Sequence, residues 1–148
     1  MTTLYVFLKA LHLLGAVLWV GGMFFAYAIL RPSLTAIEAP QRMLLQTQVH
    51  HKFFLVVWIA MPIILASGFI MLAYRGMAGV PWEVHVMLAL GLVMAGLFLA
   101  IVFGPWRKFR RTIDRTRMAA SLTTVRNLIG INLILGLITV FIAGLIGG

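Results

Sequence analysis

Residues Lys9–Met23 read KALHLLGAVLWVGGM and lie inside a longer apolar run, Leu4–Leu30. At 3.6 residues per turn, the three-residue step from Lys9 to His12 puts both on one helix face. That face continues through Gly15, Ala16, Trp19, Gly22 and Met23, with Tyr5 one turn upstream of Lys9. Lipid makes an ionisable side chain costly to keep, so a histidine in such a run marks a functional site by default.

Composition decides that lipid is the solvent. The chain has 148 residues, of which 63% are hydrophobic and 10% charged, and its mean hydropathy is +1.08. No soluble domain of this length hides that much apolar surface, so an integral membrane protein of one small domain is expected. The absence of cysteine excludes disulfides, thiolate metal sites and thiol nucleophiles. The net charge of +9 sits in the connections between apolar runs. Membrane topology and lipid headgroups account for it, and nucleic acid is not expected as a partner. No basic segment precedes the first run, and the run is too long for the core of a signal peptide, so no cleaved leader is expected.

Four apolar segments stand out, at about 4–30, 53–74, 82–104 and 127–146. Each reaches the roughly 20 residues that a helix needs to cross a bilayer. The expected fold is therefore an all-α, up-down-up-down four-helix membrane bundle. Ten of the twelve Lys and Arg lie in the first and third connections. The third, residues 105–126, is the more basic. Positive residues stay on the cytoplasmic side, which puts both termini in the periplasm of a multi-pass inner-membrane protein. Several local expectations follow. Arg31-Pro32 ends the first helix. Pro40 opens a short amphipathic surface helix through Gln48, and Pro62 kinks the second span. Trp82 and Trp106 bracket the third span at the two interfaces. The basic third connection extends as a helix resting on headgroups. The small-residue rows Gly96, Ala100, Gly104 and Asn132, Gly136, Thr139, Ala143 suit close helix contact.

Counting roughly 20 residues back from Arg31 lands at Leu11–His12, and the same count from Gly104 lands at Val84–His85. Two histidines on two helices thus share a depth near the outer face. That arrangement suits a haem held between facing helices, with His12 and His85 as axial ligands. Gly15 would let the ring approach, Trp19 would line the pocket, and Lys9 and Arg75 are the cations available for propionates. Glu83 would orient a ligand histidine or offset Arg75. The plain alternative is a histidine that only hydrogen-bonds a neighbouring helix. Copper is the rival chemistry, because thioethers suit Cu(I) and Met71, Met77 and Met87 fall near His85. Methionine is also ordinary filler in membrane helices. His50 and His51 read as interface residues beside Lys52. With three acidic residues and no nucleophile–base arrangement, a hydrolase is not expected.

The stretch KALHLLGAVLWVGGMFFAYAILRPSL resembles the opening helix of the copper-resistance D (CopD) family of bacterial inner-membrane proteins. VPWEVHVMLALG and NLIGINLILGL resemble later stretches of its short, single-domain members. The KAxHxxxxxxW pattern is also similar to the opening of HemJ-type protoporphyrinogen oxidases, although Ala-Ile-Leu-Arg-Pro stands here where those carry Leu-Pro-Arg-Leu-Phe. Both groups resemble cytochrome b-like four-helix membrane proteins, in which histidines ligate haem b. The resemblance thus implies His12 as a ligand, with His85 as the second. The expectation is a haem b protein acting in electron transfer, as a membrane oxidoreductase or its subunit, with lipid, a quinone, a redox protein or further copies of the chain as partners. The alternative it implies is copper transport or resistance through His12, His85 and nearby methionines.

Overall fold

The computed structural model describes residues 2–146 and is helical throughout, with no strand among them. Helix α1 spans Thr3–Phe24, α2 Ala39–Arg75, α3 Trp82–Phe103, α4 Pro105–Arg111 and α5 Arg115–Gly144. Four helical stretches are long and apolar enough to cross a membrane: Thr3–Ala36, Ala39–Arg75, Trp82–Arg111 and Arg115–Gly144. In lipid, where backbone N–H and C=O groups find no water, helices satisfy them internally. The ends are marked by local chemistry. Thr2 caps α1 by accepting from the Tyr5 N–H at 3.4 Å, and Asp114 caps α5 by accepting from the Thr116 N–H at 2.9 Å. Gly76 stops α2 at φ +74°, a left-handed conformation that glycine tolerates.

The spans run up and down around a ring. Helix α1 lies chiefly along α2 and α3 along α5, while α5 also meets α1 and α2 touches α3 lightly. Helices α1 and α3 therefore face each other across the diagonal. Trp19 of α1 meets Phe98 of α3 edge-on there, at 6.3 Å between ring centroids.

Local expectations fared unevenly. Arg31-Pro32 does not end the first helix, which continues to Ala36. A π-helical turn at Phe25–Leu30 precedes the proline, and the Arg31 N–H reaches five residues back to Ala26 O. The wider register offsets the carbonyl that a proline ring would meet in an α-turn. The short surface helix expected at Pro40–Gln48 is instead the first part of α2, since no breaker separates it from the apolar run. The basic third connection is helical as expected, in α4 and the first turns of α5. Pro62 lies inside α2 without ending it.

Burial corrects two side-chain readings. Trp106 is not an interface residue. It is 4% exposed and packs on Phe54 at 5.0 Å and Phe109 at 5.3 Å. His50 is likewise buried, tilted on Phe54 and Trp106 at 5.9 Å each, and its Nδ1 donates to Gln46 O. His51 is exposed, as expected. These aromatics belong to one core that runs from Trp19 to Leu133 and is densest toward the basic end. At the other end, no residue of α3 before Met94 and none of α5 after Gly136 is fully buried.

The two small-residue rows differ. Asn132 and Gly136 are buried, and Asn132 Nδ2 donates to Met94 O at 3.2 Å. A Cβ on Gly136 would stand 3.0 Å from Val20 Cγ2 and 3.1 Å from Met94 Cε. Gly96 and Ala100 instead face outward, because Met94, Ala95, Phe98 and Ile101 take the inner face of α3. In lipid, where burial itself gives little drive, such close contacts carry helix association. Gly136→Leu is therefore expected to lower stability by about 1–3 kcal/mol through overpacking. Gly96→Ala, on the open face, should stay within about 0.5 kcal/mol of the parent or exceed it slightly. Thermal unfolding of the detergent-solubilised variants measures both.

Candidate functional site

His12 sits at the end of the bundle opposite the basic connections, half-buried between α1 and α2. Its Nδ1 lies 2.9 Å from Ile64 O and 3.1 Å from Ser67 Oγ. A carbonyl only accepts, so Nδ1 carries the proton. The Ser67 hydroxyl donates its own hydrogen to Ile63 O at 2.6 Å, leaving its lone pairs for the histidine. Nδ1–H is thus anchored to α2, and Nε2 keeps a free lone pair. This is the tautomer in which histidine ligates a metal, its second nitrogen tied to a carbonyl or similar acceptor.

The helices allow this because their meeting face is small. One turn from His12, a Cβ on Gly15 would fall 2.6 Å from Ile64 Cγ1 and 3.4 Å from Ala60 O. On α2, a Cβ on Gly68 would lie 3.2 Å from His12 Cε1, so the ring rests on bare backbone. The small pair Ser67-Gly68, at the depth of His12 in the second span, is the signal that sequence reading passed over. Ser67 is only 3% exposed.

The other expected site residues are scattered. Gly15 does meet something closely, but it is Ile64 rather than an open slot. Trp19 is 3% exposed and packs on Phe98. Lys9 is exposed. Arg75 is exposed too, and its guanidinium lies over the Tyr5 ring at 5.3 Å, a cation–π pair at the same end as His12. His85 is exposed in the second turn of α3, and Glu83 beside it keeps a buried, unpartnered Oε2. The structure does not bring His12 and His85 together. His12 turns to α2 and His85 is exposed. The arrangement does not fit a haem clamped between these two histidines. Among the described residues no group of three or more His, Cys, Asp or Glu could hold a metal.

Sulfur is nearer. The α2 row that faces α1 runs Met61, Ile64, Ser67-Gly68, Met71 at helical steps of three or four. Met61 is buried and Met71 half-buried. Met23 and Met94 lie in the core, while Met77 is 56% exposed.

These features define a class first: a four-helix, multi-pass inner-membrane protein with an anchored histidine between its first two helices. Residues 47–146 match the family description "Copper resistance protein D", and the chain belongs to that CopD family. Comparison with curated proteins and with solved structures gives no match. His12 precedes the matched region.

The tautomer is directly measurable. Imidazole ¹⁵N spectra of the labelled protein are expected to show His12 protonated at Nδ1 and bare at Nε2, with the assignment made by His12→Gln. A proton on Nε2 would contradict the geometry.

Proposed function

We propose that the protein handles copper, taking Cu(I) at the end of the bundle that carries both termini, on the periplasmic side. His12 Nε2 supplies a nitrogen ligand and the thioethers of Met71 and Met61 supply sulfur. Membership of the copper-resistance family carries this reading. The free Nε2 lone pair beside a methionine-ended row on α2 supports it, because soft thioether and imidazole donors suit Cu(I). His85, exposed on α3 at the same end of the bundle, is a second nitrogen donor for an ion arriving from the aqueous side. Buried Met94 and Met23 continue the sulfur inward. Ser67 and Ile64 O act through His12, by fixing its ring and tautomer.

In this reading copper is cargo. The ion sheds water for soft donors at the outer end. The positive-inside distribution supports the orientation.

The test is Cu(I) competition against a chromophoric chelator on the detergent-purified protein, under reducing conditions. The parent is expected to withdraw copper from the chelator. His12→Ala should weaken binding by more than the roughly 10–100-fold typical of losing an outer-shell partner, and Ser67→Ala by about that outer-shell amount. Cells expressing the parent, but not His12→Ala, should change their growth on elevated copper. A copper-free protein with a reduced b-type absorption band from haem-sufficient cells would overturn the proposal in favour of haem.

A further inference from the structure

The basic end holds a cavity that copper handling leaves unused. It measures about 220 Å³ and opens between the start of α2 and the first turns of α5. Arg42, Met43 and Gln46 line one wall and Leu122, Thr123 and Arg126 the other, so the lining is largely apolar with a guanidinium on each side. Arg126 Nε is buried without a hydrogen-bond partner, and its Nη2 reaches only Thr123 Oγ1, at 3.5 Å. Arg42 Nε donates to Ile37 O at 2.7 Å, which fixes that guanidinium at the wall. Arg31, at the end of the first apolar run, adds a third positive charge at this end of the bundle.

No carboxylate answers this charge. The one ion pair among the described residues joins Asp114 and Arg117 on the exposed surface. Glu38, just before α2, is exposed and bridges to none of the three arginines. Ala39, the first residue of the 37-residue helix α2, also lines the cavity and adds the positive end of the helix dipole. Two guanidinium groups that line one cavity without a counter-charge are costly where water is thinned, and an anion removes that cost.

We propose that this cavity binds a phosphate-type anion between Arg42 and Arg126, a phosphoryl group carried by a lipid headgroup or by a soluble compound. Planar guanidinium forks match the tetrahedral oxygens, and two of them opposed across a cavity give a defined seat rather than a diffuse attraction. Thr123, already beneath Arg126, lies within the same wall. The site adjoins the apolar spans, so a headgroup reaches it from the bilayer and a soluble phosphate from the aqueous side.

The full-length protein in nanodiscs distinguishes the sources. In discs of zwitterionic, net-neutral phosphatidylcholine, whose phosphodiester is masked by its own choline cation, inorganic phosphate or pyrophosphate is titrated against thermal stability. In parallel, discs containing phosphatidylglycerol are analysed by native mass spectrometry for lipid retained by the protein. Saturable protection by free phosphate assigns a soluble ligand, and retained phosphatidylglycerol without such protection assigns the headgroup. Arg126→Gln and Arg42→Gln are each expected to weaken the effect about tenfold, the loss of a charge-assisted contact. Arg115→Gln, exposed on the same basic face outside the cavity, should leave it unchanged. An equal loss in Arg115→Gln would reduce the effect to general surface charge and overturn the proposal, as would the absence of saturable binding in both arms. Should Arg126→Gln fail to fold, Arg42→Gln alone decides.

Discussion

A membrane supplies no partner for a bare peptide group and little reward for hiding an apolar side chain. Helices in this solvent associate where they can approach closely and where a polar group finds a mate on its neighbour. Both conditions meet at the α1–α2 contact. Gly15 lets Ile64 press against α1, and that approach brings the Ile64 carbonyl within reach of His12. The histidine, the serine and the glycines are thus one device. A side chain at Gly15 would part the helices and strand the imidazole. On the other side of the ring, Gly136 and Asn132 bind α5 to α1 and α3 in the same manner.

The electrostatic character of the two ends then differs in kind. The basic end concentrates arginine at the surface and aromatic rings beneath it, so charge is held on a stiff floor of Phe54, Trp106 and Phe109. The opposite end is nearly neutral, with Arg75 lying on Tyr5 and Lys9 exposed. Soft donors on the neutral side suit an ion that prefers sulfur to water. A rigid basic side suits anions.

Span number, span order and the clustering of charge were legible because each rests on a pattern that lipid enforces. His12 stood out as a candidate for the same reason. Its partner did not, because a backbone carbonyl leaves no mark in a sequence and Ser67 is one small residue among many. Depth counting placed His85 level with His12 but carried no information about rotation. Which way a helix turns is set by its packing, and α3 turns Phe98 and Met94 inward instead. The same ambiguity made Gly96 and Ala100 resemble a contact row. Trp106 and His50 were misplaced because interface-seeking aromatics and core aromatics have the same composition. Only the inward continuation of the helices beyond the bilayer-length runs tells them apart. The cavity between Arg42 and Arg126 joins residues 84 positions apart and had no local signature.

The uneven distribution of the core has a mechanical meaning. Toward the basic end the rings of the first three spans interleave and α5 packs Leu122, Val125 and Ile129 into the same core, whereas α3 before Met94 and α5 after Gly136 have no fully buried residue. Separating the helices at the aromatic end would forfeit most of the dispersion contacts in the molecule, while spreading them at the other end forfeits few. The bundle is therefore built like a pair of tweezers joined at the basic end. Near the tips the grip is that of α1 on α2, through His12, Ser67 and the approach of Gly15 to Ile64.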